Sequence, residues 1–284
     1  MNKNKINVAY ITSIDGLNDY ASLSDIHMSL AHMVLESDIY AEYYKTTDKF
    51  VIMDNSAFEF EQRGRGVPMD MVLEAAKKIE PDEICVTDVL FNGEDTLYAV
   101  KDFMNYIKRS HKGLLGNTKF MAIPQGKSED EWMACYEQLV IQDDIQTIGL
   151  SKLSVPESFY GNHYESGNCA KGRNKCINTL VKEKMEPFRW GKACHLLGSD
   201  NRGVSELRSY YERGYNKWIR SNDTSMPFMY GLNHSLINDI TGEADTIIME
   251  KLDFNGTYDD HTVEFIDDNF LIWRTINVKD STSG

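Results

Sequence analysis

The chain has 284 residues, 42% of them hydrophobic and 26% charged, which is typical of a soluble protein with one large domain or two small ones. A formal net charge of −14 disfavours non-specific binding to phosphate backbones, so a nucleic-acid substrate would require a local basic patch. The sequence contains no apolar run near the ~20 residues that cross a bilayer, and its polar start does not resemble a signal peptide.

Seven short apolar runs predict buried strands. In chain order they are 6–11, 50–53, 84–89, 119–124, 147–150, 193–197 and 217–219. Most lack polar alternation, which is typical of parallel strands covered on both faces. The eighth strand of a closed barrel is expected at 39–45, after a helical segment at 24–35; otherwise the barrel is irregular.

Helical patterns lie between these strands. Pro68 predicts a helix start, and Pro81 predicts its end. Ser128 and Glu131 have the spacing of a capping box. Gly214 follows an apolar stripe and is expected just past the end of a helix.

The alternation of strands and helices predicts parallel strands joined by helical crossovers, and the strand count favours an α/β fold of the irregular (β/α)8 TIM type. We assign residues 1–244 to this barrel. Residues 246–249, 262–266 and 270–275 look like short strands without intervening helices. We therefore predict that 245–284 forms a short β-rich C-terminal extension packed on the barrel.

Polar or small residues lie in or just after most of the predicted strands. In chain order they are Asp54 with Ser56, Asp88, Gln125, Gly149, His195 with Gly198, and Asp223. Taken singly, such residues are more often caps, turns or satisfied core groups. In a barrel, however, the carboxyl ends of the strands surround one mouth, so their recurrence favours a shared site.

The side chains of this set suit one kind of chemistry. Two carboxylates that face one pocket can catalyse a substitution at an anomeric carbon. One attacks this carbon to form a glycosyl-enzyme, and the other transfers protons. A further acid beside a glutamine can recognise the donors and acceptors of a flat heterocycle. Together they indicate exchange or removal of a nucleobase.

An ordered series of motifs resembles the tRNA-guanine transglycosylases. The segments are MDNSAFE (53–59), EICVTDVL (83–90), MAIPQG (121–126), TIGLSK (147–152), HLLG (195–198) and ELRSYYERGYNKW (206–218). They match, in order, the family's Asp-Ser-Gly-Gly-Phe-Gln motif, its base-reading strand, its Gln-Gly strand, its Ile-Gly-Gly segment, and its Tyr-Leu-Met-Gly motif with the following helix-to-strand unit. The variant forms look more like the divergent branch from phages and DNA-modification clusters, which inserts 7-deazaguanine bases into DNA.

The resemblance implies an irregular (β/α)8 barrel and a role for each motif residue. Asp54 would transfer the proton near the base, and Asp223, or a position nearer Ile219, would be the nucleophile that attacks C1′. The remaining residues would contact the base: Ser56, Asp88, Gln125, Gly149, His195 and Gly198. The substrates would be DNA, or alternatively tRNA, and a 7-deazaguanine such as preQ0, with no cofactor and no membrane partner.

Departures from the family pattern keep other functions open. Cys169 and Cys176 have six residues between them and no Cys-x₂-Cys beside them, so we predict no structural zinc and no other metal site. Five cysteines without regular spacing predict a cytoplasmic location, the host cytoplasm if the gene is phage-borne. The alternatives are an inactive nucleic-acid-binding relative and a glycosidase or nucleosidase for small molecules.

One cluster of basic residues is a candidate phosphate-binding patch. Its members are Lys171, Arg173, Lys175, Lys182 and Lys184, with Arg189 and Lys192 beyond them. We interpret it as a solvated helix face.

Overall fold

A computed structural model of the protein describes residues 5–62, 66–110, 117–163, 165, 167–246 and 252–277. It contains a sheet of eight parallel strands in the order β1-β8-β7-β6-β5-β4-β3-β2. Their bounds are β1 (Asn7–Tyr10), β2 (His27–Leu30), β3 (Val51–Asp54), β4 (Glu83–Cys85), β5 (Lys119–Ala122), β6 (Thr147–Ser151), β7 (Ala193–Leu197) and β8 (Ile219–Thr224). The strands curve into a nearly closed barrel, as the sequence predicted.

Helices follow the strands and form the outer layer. Their bounds are α1 (Ala31–Glu36), α2 (Asp38–Thr46), α3 (Ala57–Gln62), α4 (Met69–Ile79), α5 (Gly93–Ser110), α6 (Glu129–Val140), α7 (Ser154–Tyr160), α8 (Asn168–Lys182), α9 (Gly203–Glu212), α10 (Met226–Leu232) and α11 (Asp260–Trp273). None of the helices in the described ranges combines the length and apolar content needed to span a bilayer.

The predicted helix ends are largely confirmed. Helix α4 starts directly after Pro68, and Gly214 follows the end of α9 with φ of 74°. Half of the capping box forms, because Ser128 Oγ accepts the Glu131 N–H at 3.3 Å. The Glu131 carboxylate instead accepts the N–H groups of Gly93 and Lys127, so it ties α6 to the start of α5.

The barrel closes between β1 and β2 without a strand ladder in the described part of the chain. Side chains of the segment before β2 take the place of a ladder. Tyr10 N–H donates to Ser24 Oγ at 2.7 Å, and Val8 N–H donates to Asp25 Oδ2 at 3.2 Å. The Asp25 N–H returns a hydrogen bond to the Val8 carbonyl at 2.9 Å. This junction is the irregular part of the barrel.

The prediction of the eighth strand was wrong. Residues 39–45 lie in α2, and the strand is β2, inside the segment predicted as a helix at 24–35. All four β2 residues are buried, including the polar His27 and Ser29. His27 packs edge-on against Tyr44, with ring centroids 5.5 Å apart. The prediction depended on short apolar runs, and β2 has no such run because two of its four residues are polar.

The predicted β-rich extension was also wrong. Residues 262–266 and 270–273 belong to α11, which begins where Asp259 caps the Thr262 N–H at 2.9 Å. Residues 274–277 form a 3₁₀ turn. Of the strand predicted at 246–249, only Thr246 lies among the described residues, and it is not in a strand.

Helix α11 completes the helical layer beside the first strand. Phe270 packs against Tyr10 of β1, with ring centroids 4.6 Å apart, and Gly231 lets α10 approach Ile266 closely. Phe270 and Trp273 are buried, so this helix contributes to the apolar layer between the strands and the helices.

Two apolar clusters fill the molecule. The larger lies between the strands and the helices. The smaller fills the barrel interior and consists of Ala9, Ile26, Met28, Ile52, Cys85, Met121 and Ile123. At the amino-terminal end of the strands, Glu83 accepts hydrogen bonds from Arg220, at 2.6 Å, and from Thr147. The apolar cluster and this ion pair close the interior below the carboxyl ends of the strands.

Candidate active site

Asp54 is the last residue of β3 and stands two residues after the interior residue Ile52, so its side chain points toward the mouth. Its Oδ2 accepts the Ser56 N–H at 2.8 Å. Ser56 adopts φ of 64°, and its hydroxyl contacts His32 Nδ1 at 2.8 Å. Ser56 thus lies beside Asp54, where its backbone contacts the carboxylate and its hydroxyl is taken up by His32.

The electrostatic surroundings of Asp54 show which predicted acids converge. Burial raises its pKa well above the usual value. The nearby charge of Glu59 raises it further, the Ser56 N–H opposes this rise, and the charges of Asp223 and Asp88 add smaller upward contributions. Asp54, Asp88 and Asp223 stand at or just after the carboxyl ends of β3, β4 and β8, so these contributions come from acids of one barrel mouth. The raised pKa favours the protonated form of Asp54.

Asp88 and Gln125 meet directly. Gln125 Nε2 donates to Asp88 Oδ2 at 2.5 Å, and Asn55 Nδ2 donates to Asp88 Oδ1 at 2.8 Å. Burial raises the pKa of Asp88 to about 6, against the lowering effect of these donors. Gln125 Oε1 accepts the Phe91 N–H at 3.1 Å, which fixes the orientation of the amide. The result is a rigid acid–amide pair with defined polarity.

Asp223 lies near the carboxyl end of β8 and is 7% exposed. Its Oδ1 faces His195 Nε2 at 3.0 Å and accepts the Gly198 N–H at 2.9 Å. Both contacts go to the same oxygen, so Oδ2 is the atom left to face a substrate. The alternative nucleophile position, Ile219, is fully buried in the outer cluster between strands and helices.

Gly198 makes the turn that brings its N–H to Asp223. It has φ of 70°, and a Cβ there would lie 2.5 Å from Lys152 Cδ. Its carbonyl accepts a hydrogen bond from Arg173 Nη1 at 2.9 Å. Arg173 is itself fully buried and pairs with Glu206 through two hydrogen bonds, of 2.9 and 2.7 Å. The buried ion pair therefore supports the turn beside Asp223.

Gly149 has a packing role in the structure. A Cβ at this position would lie 2.7 Å from Leu197 Cδ1 and 3.0 Å from Met121 Sδ. The missing side chain therefore makes room for protein atoms, and the Gly149 backbone pairs with that of His195 in the sheet.

Several residues at the mouth were not singled out from the sequence. Glu59 acts on Asp54, and its Oε2 is buried without a partner in the described part of the protein. The Lys152 ammonium lies 5.5 Å from the ring centroid of Phe58. Glu59 and Phe58 are in the first turn of α3 and are the last two residues of the MDNSAFE motif, so their short spacing from Asp54 was the available signal.

The basic patch is only partly the solvated face that was expected. Arg173 is buried, whereas Lys175 and Lys182 are exposed and form ion pairs with Glu129 and Glu183. A groove of about 670 Å³ runs between α8 and α9 on the outside of the barrel. Three cations that line this groove, Lys175, Lys182 and Arg202, form ion pairs with Glu129, Glu183 and Glu243, so it is a weaker functional candidate than the mouth. A smaller cavity, of about 240 Å³, lies beside Asp88.

Among the described residues, no three or more His, Cys, Asp and Glu side chains are grouped so that they could hold a metal ion. Comparison of the chain with models of known protein families gave no match, and comparison with curated proteins gave none either.

Proposed function

We propose that this protein is a transglycosylase that exchanges guanine in DNA for a 7-deazaguanine base such as preQ0. One observation carries the proposal: two carboxyl groups of one mouth, Asp54 and Asp223, have opposite surroundings. Asp54 favours its proton, while Asp223 accepts two hydrogen bonds on one oxygen. Pairs of acids with diverging environments divide into a proton donor and a nucleophile.

In the first step, Asp223 Oδ2 attacks C1′ of the target nucleotide. The C1′–N9 bond breaks, its electron pair leaves with guanine, and the Asp54 proton moves to the departing base. The products are a glycosyl ester of Asp223 and an ionised Asp54. The target base must be flipped out of the duplex or lie in an opened strand.

In the second step, the incoming 7-deazaguanine gives its N9 proton to Asp54. N9 forms a bond to C1′, and the ester bond breaks and returns the Asp223 carboxylate. Two displacements at one carbon retain its configuration. Atoms and charges balance without an external energy source, because one glycosidic bond replaces another.

Recognition of the base is assigned to the Asp88–Gln125 pair. A carboxylate accepts hydrogen bonds from the ring N–H and amino group on the guanine edge. Guanine and 7-deazaguanines share this edge, so one pair of side chains serves the leaving and the entering base. The hydrogen bonds from Asn55 and Phe91 hold the pair in place before the base binds.

A second function, hydrolysis of a small nucleoside, is favoured by the charge of the mouth. The charges of Glu59, Asp88 and Asp223 around Asp54 create a negative field that disfavours a phosphate backbone. The same two carboxyl groups would then transfer the glycosyl group to water.

The direct test incubates the purified protein with preQ0 and labelled guanine in separate reactions with guanine-containing DNA, unmodified tRNA and free guanosine or deoxyguanosine. Nucleoside mass spectrometry then detects any deazapurine in the polymer. We expect incorporation into DNA and loss of incorporation in Asp54→Asn and Asp223→Asn.

Each other outcome has a defined meaning. Incorporation only into tRNA would show that the substrate is tRNA and not DNA. Release of free guanine from nucleosides would support the second function, hydrolysis. Full incorporation by both variants would overturn the assignment of the two acids. Tyr98→Phe, at an exposed position on α5, is the matched control and should retain full activity.

A further inference from the structure

A line of polar side chains runs inside the barrel from its amino-terminal end up to Asp223. Arg220 Nε lies 3.1 Å from Ser221 Oγ, which lies 2.8 Å from His195 Nδ1. His195 Nε2 lies 3.0 Å from Asp223 Oδ1. Ser221 and His195 are fully buried, so each of these contacts is sheltered from water.

Chemistry fixes the direction of the first hydrogen bond in this line, and the partners of His195 decide the other two. Arginine has only donors, so Arg220 Nε–H must donate to the Ser221 oxygen. The Ser221 hydroxyl proton is then available for His195 Nδ1. With Nδ1 as an acceptor, the imidazole proton lies on Nε2 and points to Asp223.

The two other protonation forms of His195 are disfavoured by its partners. An Nδ1–H tautomer would direct the lone pair of Nε2 at the Asp223 carboxylate. A doubly protonated His195 would remove the acceptor of the Ser221 hydroxyl. Burial lowers the pKa of His195, although the hydrogen bond that it donates to Asp223 acts in the opposite direction. The neutral Nε2–H form is the one that satisfies all the partners.

The donor at the base of the line is held in place. Arg220 Nη2 contacts Glu83 at 2.6 Å, and Nη1 lies 3.2 Å from Thr147 Oγ1. A register shift between β7 and β8 lets the consecutive residues Arg220 and Ser221 both contact interior side chains. The bulge thus supplies two adjacent members of the line from one strand.

We propose that Arg220, Ser221 and His195 form a relay that orients Asp223, with His195 as a positioning residue rather than a ligand of the base. Both ring nitrogens of His195 are occupied by protein groups, which leaves none for a substrate. The relay holds Asp223 Oδ1 so that Oδ2 is presented at the mouth. Its kinetic consequence rests on the proposed function, whereas the tautomer of His195 does not.

The first test is ¹⁵N NMR of the histidine side chains in the full chain, with His195→Gln used to assign the signals. We expect a protonated Nε2 and an unprotonated Nδ1 at neutral pH. In Ser221→Ala, which removes the donor to Nδ1, this preference should weaken. An Nδ1–H tautomer or an imidazolium in the wild-type protein would overturn the relay.

The second test compares base exchange by four variants. Loss of positioning by about 1 Å costs on the order of 10²-fold in rate, so Ser221→Ala and His195→Leu should lose about that factor in kcat with little change in KM. His195→Gln keeps a donor for Asp223 and should recover most of the loss. His27→Gln, at a buried histidine on β2, is the matched control and should keep the wild-type kcat.

The two tests separate this proposal from the proposed function. If the wild-type protein exchanges no base but shows the Nε2–H tautomer, the function is wrong and the relay stands. If exchange occurs but His195→Gln is as poor as His195→Leu, or mainly KM changes, His195 contacts substrate and the relay is overturned.

Discussion

Asp54 and Asp223 are identical side chains that the barrel places in different surroundings. Asp54 is the last residue of β3, and its burial and the nearby charge of Glu59 disfavour its ionised form. Asp223 lies on β8 opposite two hydrogen-bond donors. The division of labour that we propose for them would therefore arise from neighbouring residues and not from the acids themselves.

The raised pKa of Asp54 predicts a pH-dependent gain in stability for Asp54→Asn. A carboxyl whose folded-state pKa is raised stabilises the protein fully below its unfolded pKa, near 3.8, and loses that contribution as pH rises. The variant should therefore have a higher free energy of unfolding than the wild type at pH 7, and the difference should shrink toward pH 4. Urea denaturation across this range measures it; a pH-independent difference would contradict it.

The pKa of Asp88, about 6, predicts weaker binding of the base in acid. A protonated Asp88 cannot accept hydrogen bonds through both oxygens, so the KM for the base should rise about tenfold per pH unit below pH 6. Asp88→Asn should have a high KM that does not rise further below pH 6. A KM for the wild type that is constant from pH 5 to 8 would argue against a recognition role for Asp88.

Sequence reasoning identified the acids at this scale but not their support. Asp54, Asp88, Gln125 and Asp223 follow apolar runs, so strand geometry alone brings them to one mouth. Arg173 looked like a surface cation, and its burial depends on Glu206, 33 positions away. No local pattern encodes that pairing.

At the scale of elements, the two errors have one cause. The residues of β2 and α11 carry weak local patterns, and their conformation is selected by contacts with distant parts of the chain. β2 pairs with β3, and α11 packs on α10 and β1. Long helices such as α4, with five buried residues on one face, were predictable from periodicity.

The close approach of α10 and α11 predicts that Gly231→Ala destabilises the protein. Helix propensity alone would make this change stabilising by about 1 kcal/mol. A Cβ would, however, lie 2.3 Å from Ile266 Cγ1 and 2.5 Å from Ile266 Cα, and such overpacking costs about 1–3 kcal/mol. Thermal unfolding should show a lower Tm for Gly231→Ala.

Gly66→Ala is the control for this comparison. Among the described residues, no heavy atom beyond its chain neighbours lies within 4 Å of a Cβ at Gly66, so the effect of this substitution should stay within about 0.5 kcal/mol. If Gly231→Ala were as neutral as Gly66→Ala, α11 would not be packed on α10 as described.

At the scale of the whole molecule, the Arg173–Glu206 pair connects α8 and α9 to the mouth. Arg173→Met should cost about 3–5 kcal/mol, because it leaves a buried, unpaired Glu206 charge. The double variant Arg173→Met, Glu206→Leu should recover much of that loss. Chemical denaturation of the single and double variants checks both values, and a double variant as unstable as the single one would contradict the explanation.

The barrel as a whole unites acids from separate strands at one mouth, and the central claim is that Asp223 becomes covalently bonded to C1′. The most direct measurement is mass spectrometry of protein quenched during reaction with guanine-containing DNA, followed by peptide mapping. We predict a nucleic-acid adduct on the peptide that contains Asp223, absent in Asp223→Asn. Base exchange with no adduct, or with the adduct on another residue, would contradict the account.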